Sequence, residues 1–221
     1  MAIPDFLRQT ILVFDTETAQ LHDHICEVGF SMFKNMQLEQ EIGALIKPVI
    51  PIDPGAEAVH KISDRDVEDQ PPFKQMAMWC YNILNSADIH CAYNYDYDRL
   101  VFENEFARYG LKFPVKPMID PMIFFKKWNK FNKGKRLTDA AQRYGIEHIG
   151  AHRATNDSTV TGKLLFKMAA TRTDFPKSTN KLLEVQRKLI QDQYEDYLGY
   201  CQRANKKIPE PPNYSFYEVK Q

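Results

Sequence analysis

Residues 10 to 18, Thr-Ile-Leu-Val-Phe-Asp-Thr-Glu-Thr, constrain the fold more than any other stretch of the chain. Ile11, Leu12, Val13 and Phe14 form an unbroken apolar run rich in strand formers, which predicts a strand buried on both faces. Asp15 and Glu17 come directly after it, with only Thr16 between them. Residues two apart on a strand share a face, so both carboxylates are expected to point to one spot. Two negative charges at the end of a buried strand are costly unless something positive sits between them. Hard oxygen donors at this spacing suit Mg²⁺ or Mn²⁺ better than zinc. The plainer alternative is that the acids only end the strand and cap the next turn of the chain.

The rest of the chain reads as a mixed α/β arrangement. Residues 25–33 alternate loosely, and residues 41–47 read as a third strand stopped by Pro48, so short polar links make the first three strands an antiparallel meander. Residues 48–72 are rich in proline and acids and hold turns, with short helices around Ala56 and Asp64. Helices are then expected over 73–84, 96–109 (closed by Gly110), 137–144 (closed by Gly145) and 155–169, with strands over 87–93 and 115–120. A meander followed by strands separated by helices predicts a mixed sheet with helices on both faces, not a pure doubly wound fold. The expected organisation is one domain over residues 1–170. A linker at 171–179, an amphipathic helix to about Arg203 and a tail ending at residue 221 make up the remainder.

Charge and cysteine usage narrow the function classes. The chain has 29 basic and 29 acidic residues, so a nucleic-acid partner has to be held by a local basic patch, because no overall positive field exists. Such a patch occurs at 126–136, Lys-Lys-Trp-Asn-Lys-Phe-Asn-Lys-Gly-Lys-Arg, where six of eleven residues are basic, none is acidic, and Trp128 and Phe131 are interleaved. The alternative is a solvated loop whose lysines serve solubility alone. Cys26, Cys80, Cys91 and Cys201 include no CxxC pair, which argues against structural zinc and for a reducing compartment. The first residues show no basic region followed by an apolar stretch, and no run approaches the length of a membrane span, so the protein is expected to be cytoplasmic, with no membrane partner.

Two later segments repeat the theme of acids beside apolar elements. Asp98 falls in the first turn of a helix and faces back along Leu100, Val101 and Ala107 toward the sheet; helix capping alone would also account for it. Asp157 sits one turn before Val160 and shares its inward face, and His152 precedes it by five residues in a loop.

Phe14-Asp15-Thr16-Glu17-Thr18, the segment from Asn94 to Asp98 with Tyr97-Asp98 at its end, and the His-x₄-Asp of His152 and Asp157 resemble the three motifs of the DEDDh 3′–5′ exonucleases. This family includes the proofreading epsilon subunit of bacterial DNA polymerase III and exonuclease X. The likeness continues between the motifs in Ile25-Cys26-Glu27-Val28-Gly29, in Ala58-Val59-His60-Lys61-Ile62-Ser63-Asp64 and in residues 137–146, and it covers residues 8 to about 170. The resemblance implies a ribonuclease H-like fold and two Mg²⁺ (or Mn²⁺) ions. Asp15, Glu17 and Asp157 would hold the first ion, Asp15 would reach the second, and Asp98 would help through water. Two divalent ions about 4 Å apart activate water and stabilise the leaving 3′ oxygen. His152 would take the proton from the attacking water; a histidine of ordinary pKa, about 6.5, is mostly neutral and able to accept at physiological pH.

Thr18, Leu21, His60 and Asn94 are the expected substrate-binding residues of the core, with Leu21 as an apolar wedge against the terminal base, and Lys130, Lys133 and Lys135 are expected to grip the strand upstream. Two departures from the family pattern bear on substrate preference: Gln20 stands where glycine is common, and Tyr93 where histidine usually precedes the asparagine. The leading expectation is hydrolysis of DNA from the 3′ end to nucleoside 5′-monophosphates. The expected partners are single-stranded DNA or frayed 3′ ends, with a DNA polymerase subunit and a nucleoid location if the role is proofreading. An RNA or oligonucleotide exonuclease keeps the same chemistry, and a catalytically idle polymerase-binding module is the reading from another class. Intact acids argue against the last, since an idle module has no reason to bury uncompensated carboxylates.

Overall fold

The computed structural model describes residues 4–212, so the first three residues and the end of the tail lie outside the described residues. Five strands, β1 (Thr10–Gln20), β2 (Asp23–Lys34), β3 (Gln37–Leu45), β4 (Ile89–Cys91) and β5 (Met118–Ile119), form one mixed sheet in the order β3-β2-β1-β4-β5. The first three pair antiparallel as a meander, while β4 and β5 run parallel to β1. After a short 3₁₀ helix at Asp5–Arg8, eight α-helices accompany them among the described residues: α1 (Pro54–His60), α2 (Asp64–Val67), α3 (Phe73–Ser86), α4 (Tyr95–Ala107), α5 (Pro121–Trp128), α6 (Leu137–Arg143), α7 (Ala154–Thr171) and α8 (Thr179–Arg203). The mixed sheet with helices on both faces is the architecture that the apolar pattern predicts.

The alternation along β1 and β2 decides which helix covers which face. Phe14 and Phe30 are partners in register and turn to α3 and α4, where they meet Trp79 and Phe102. The alternate residues of β2 turn the other way, to α7: Ser31 Oγ meets Ser158 Oγ at 2.8 Å and Thr159 Oγ1 at 2.6 Å, and Phe33 lies against Gly162. Close approach of α7 requires glycine on this face. A side chain at Gly29 would collide with the backbone of Ala154 and Thr155, and one at Gly43 with the Thr155 hydroxyl. Asp15 pairs with Gly29, so the first acidic residue shares the face that α7 covers.

Several boundaries differ from the sequence expectation: the first strand does not stop at the acids but runs on to Gln20 as one arm of the β1–β2 hairpin, and the strand expected over 115–120 is ordered only over Met118–Ile119, because Asp120 already caps the next helix. The third strand begins at Gln37, four residues earlier than expected, because an edge strand with a solvent face carries polar residues that conceal it. The strand expected over 87–93 is ordered as a strand only over Ile89–Cys91, since Ala92 and Tyr93 already lead into the turn before α4. The basic segment starts inside a helix: Asp120 caps α5 by accepting from the Met122 amide, and Pro121 occupies its first position.

Beyond α7, Phe175, Leu182 and Leu189 enter the main apolar core. The fully buried Gln186 of α8 completes the outer edge of the sheet, its Nε2 donating to the Met118 carbonyl at 2.9 Å and its Oε1 accepting from the Asp120 amide at 2.7 Å. The side-chain amide thus stands in for a sixth strand, where β5 would otherwise expose unpaired backbone groups. All four cysteines are unpaired and buried, and among the described residues no helix is long and apolar enough to cross a membrane.

Candidate active site

Two helices from opposite faces bring acids to the same stretch of β1, which does not end at Asp15 and Glu17 but runs on, paired to β2, as far as Gln20. Asp98, in the first turn of α4, accepts from both the Thr16 amide (2.8 Å) and the Thr16 hydroxyl (2.7 Å), so it is fixed against the strand between Asp15 and Glu17. Asp157, in the first turn of α7, arrives from the other face, where the N-terminus of the helix is held by Glu27. That carboxylate takes the Ala154 amide at 2.9 Å and the Arg153 guanidinium through three contacts of 2.6 to 3.2 Å. Glu27 is the register partner of Glu17, so the same stretch of sheet presents Glu17 and anchors the helix that carries Asp157.

The electrostatics of this corner are those of a site missing positive charge. Burial, followed by the charges of Asp98, Glu17 and Asp157, holds the Asp15 carboxyl well above the ordinary range. Glu17 is pushed up to about 8 by burial and then by Asp157 and Asp98, with Arg153 acting in the opposite direction. Asp98 rises to about 7 through burial, although its bonds from Thr16 oppose the shift. Asp157 is raised by burial against the pull of His148. Ligand atoms of Glu17, His152 and Asp157 lie within 4.8 Å of one another. A cluster of hard oxygens whose burial and mutual repulsion favour the neutral form for want of a counter-charge fits a divalent cation.

His152 is in the left-handed region at φ +65°, and its amide donates to Asp157 Oδ2 at 3.4 Å, which keeps its loop beside the acids. A second histidine escapes a reading of the sequence alone. His148 Nε2 lies 2.6 Å from Asp157 Oδ1, and its Nδ1 is buried without a partner among the described residues, so the Nε2 proton is the one directed at the carboxylate.

Beside the acids lies a cleft of about 670 Å³ whose lining includes Glu17, Thr18, Leu21, Val59, His60 and Tyr97. Leu21, 79% exposed, stands at the tip of the β1–β2 hairpin. The hairpin tip is clamped to α4: His22 packs on Tyr97 with ring centroids 4.5 Å apart, the His22 carbonyl accepts from Asn104, and Asp23 pairs with Arg108. Tyr97 also reaches Thr18, hydroxyl to hydroxyl, at 3.0 Å. His60 is buried and accepts the Ile62 amide at Nδ1 (3.0 Å).

Asn94 does not line this cleft; it adopts φ +73° and donates its amide to Asp120. Lys130 and Lys135 line a different groove, against α8, and the Lys133 carbonyl accepts from Arg143. The root of that basic loop nevertheless reaches the strand ends, since the Tyr93 hydroxyl donates to the Lys135 carbonyl at 2.8 Å.

The sequence profile of the RNase_T exonuclease family matches residues 12–165, which carry all four acids and both histidines. The chain belongs to this exonuclease family. A Staphylococcus aureus protein named 3′-5′ exonuclease DinG is 27% identical over 202 residues, which are 90% of this chain and 22% of that protein. The chain therefore spans about a fifth of the length of the curated relatives it matches. Among solved structures, exonuclease X in complex with 5′ overhanging duplex DNA shares the fold at a TM-score of 0.60 and 22% identity, over 73% of this chain and 92% of that one. The zinc-bound form of E. coli exonuclease I with single-stranded DNA shares it at a TM-score of 0.70 and 17% identity, over 81% of this chain and 43% of that one. The expected kinship with the DEDDh exonucleases holds.

Proposed function

We propose that this chain is a divalent-metal-dependent 3′–5′ exonuclease acting on single-stranded DNA or frayed 3′ ends and releasing nucleoside 5′-monophosphates. The observation that carries the reading is the meeting of Asp15, Glu17, Asp98 and Asp157 with His152 on one stretch of β1, where the acids repel one another beside an open cleft. Those four carboxylates are the groups that would hold two Mg²⁺ or Mn²⁺ ions. Divalent cations there would stabilise charge on the attacking and leaving oxygens.

The remaining work falls to the chain itself. His152 accepts the proton of the attacking water, from a loop position fixed by its own amide bond to Asp157. Thr16 holds Asp98 through two hydrogen bonds and so sets the ligand geometry before substrate arrives. The terminal nucleotide enters the cleft between Leu21, Thr18, His60 and Tyr97, with the apolar face of Leu21 against its base. Asn94 contributes by setting the turn that starts α4. DNA is the substrate proposed, in line with exonuclease X and exonuclease I, both captured with DNA, while a 3′-exonuclease that recognises a histone mRNA stem-loop shares the fold at a TM-score of 0.62, so the test carries an RNA arm. The polymerase partner that the sequence resemblance implied gains no support from these relatives.

Incubation with 3′-labelled and 5′-labelled single-stranded DNA, duplex, mismatched primer and RNA, each with Mg²⁺ and with EDTA, tests the reading. Stepwise shortening from the 3′ end of DNA is expected with Mg²⁺ only. Replacing His152 with Ala should lower turnover about a hundredfold while leaving strand affinity nearly unchanged. Full cleavage in EDTA would remove the metal from the mechanism, and faster cleavage of RNA than DNA would reassign the substrate.

A further inference from the structure

We infer that the groove between the basic segment and α8 is a track for the single strand upstream of the 3′ end being cut; the inference rests on the exonuclease reading. The groove measures about 630 Å³, and its walls include Lys126, Lys130 and Lys135 on one side and Leu189, Tyr197 and Tyr200 on the other. Tyr197 and Tyr200 are one helical turn apart, both exposed, and stack with centroids 6.0 Å apart at 26°. Phe131, 96% exposed, projects from the loop that also supplies the lysines.

Flat rings beside ammonium groups make the surface that binds unpaired bases and their phosphates together. A duplex would bring the phosphates but leave the rings without stacking partners, because its base faces are covered. Asp192 and Asp196 also line the groove, and Lys130 pairs with Asp196 at 2.5 Å. That exposed pair is weak enough for a backbone phosphate to take the place of the carboxylate.

Topology places the track to one side of the acids, across the parallel part of the sheet. β4 and β5 run parallel to β1, and the register Val13–Cys91 sets Asp15 and Glu17 just past the level at which β4 ends. Tyr93 follows β4 and is bonded to the Lys135 carbonyl, and α5 follows β5 with α8 packed beside it. Two strand spacings, about 10 Å, separate β1 from β5. The groove lies beyond β5, along α5 and α8, so a strand has to extend several nucleotides from the scissile bond to fill it. α8 begins at Thr179, beyond the residues 12–165 that the family profile matches, so the second wall is supplied by a segment outside the profile, although the 202-residue match to the S. aureus relative extends into it.

The test measures anisotropy of labelled oligodeoxythymidylates of three, six, twelve and twenty nucleotides on the full chain carrying Asp15→Asn, which prevents cleavage. Affinity should climb at least tenfold between three and twelve nucleotides. Tyr197→Ala with Tyr200→Ala should erase about tenfold of that gain, and Tyr197→Phe with Tyr200→Phe should retain it, because stacking and not the hydroxyl is used. A gain that is absent, or unchanged in the alanine pair, overturns the track while leaving the exonuclease reading intact. If sedimentation shows a dimer that the alanine pair dissociates with the length gain preserved, the groove belongs to a second copy. Absence of any cleavage or binding by the parent chain overturns both readings.

Discussion

Two corners of the sheet bury carboxylates and treat them in opposite ways. At the end of β5, Asp120 is 4% exposed and accepts from three backbone amides, those of Asn94 (3.1 Å), Tyr95 (3.2 Å) and Met122 (2.8 Å). Midway along β1, the neighbours of Asp15 and Glu17 are further acids. Burial raises the carboxyls at both corners. Asp120 stops at about 6 because the amide donors oppose the shift, whereas Glu17 reaches about 8 because Asp157 and Asp98 add to it. Burial of an acid is therefore no mark of a site by itself. What marks the site is burial among like charges with too few donors, a state that either a proton or a bound cation relieves.

Neutralising one acid at each corner should break the molecule in opposite directions. Asp15→Asn is expected to abolish metal-dependent cleavage and to raise the melting temperature of the EDTA-treated protein, because mutual repulsion falls. Asp120→Asn should lower stability by about 1–3 kcal/mol, since an asparagine NH₂ must face one of the three amide donors that the carboxylate satisfied. Asp120 holds the Asn94 turn from which α4 starts, so its loss should also reduce turnover through displaced Asp98. Calorimetry of the two variants without metal checks the signs. Shifts in the same direction would erase the distinction between the corners.

The same contrast predicts the pH dependence of the metal-free fold. Glu17 keeps its proton up to about 8 in the folded chain, against an ordinary value of 4.5, and Asp15 is shifted the same way. The folded state thus binds more protons than the unfolded one across that interval. Stability should be highest below pH 4.5 as far as Glu17 is concerned, and should fall as pH rises toward about 8. Saturating Mg²⁺ should flatten the slope, because a bound cation favours the ionised carboxylates. Denaturant midpoints measured with and without Mg²⁺ across this range check it, and a slope indifferent to the metal would mean that the acids are not its ligands.

His148 tests a smaller part of the comparison, since it is a protein donor placed inside the donor-poor corner. Its Nε2 proton occupies Asp157 Oδ1 and leaves the other oxygen to the cation and the His152 amide. His148→Ala should weaken Mn²⁺ binding about tenfold by calorimetry, the usual cost of losing a group that orients a ligand. Unchanged affinity would make His148 a packing residue only.

The acids were legible because each combines a local pattern with a charge: Asp15 and Glu17 by their spacing of two on an apolar strand, Asp98 and Asp157 by sharing the inward face of a helix. His148 was not legible, because a loop separates it from Asp157 and its approach depends on the backbone turning at Gly150, where φ is +68°. Gln186 and Asp120 are 66 residues apart, and no local rule links a glutamine in an amphipathic helix to the edge of a sheet. The start of α5 could have been found, since Asp120-Pro121 is a cap followed by proline at the first helical position. Its lysines drew attention to charge and away from the cap.

The distinction between satisfied and unsatisfied charges extends to the cations of the basic loop and gives the smallest expected effect. Lys130 is paired with Asp196, and the Lys135 ammonium donates to the carbonyls of Asn129 and Asn132. Burial, then Arg143 and Lys126 nearby, pull the Lys135 pKa down, which weakens its positive charge toward a phosphate; its two carbonyl acceptors are what hold the ammonium in place. The Lys133 ammonium has no such partner among the described residues, and the residue is exposed. A phosphate can meet Lys133 without displacing anything, whereas at Lys130 it has to compete with a carboxylate. Each phosphate contact removed from a single strand should flatten the dependence of log affinity on log salt by roughly 0.7. Lys133→Gln should therefore lower the slope by about that amount, Lys130→Gln by less, and Lys135→Gln least, with turnover at saturating strand little changed. Equal slopes in all three variants would show that the internal partners do not restrain the lysines, and an unchanged slope in Lys133→Gln would return the loop to the role of a solvated surface.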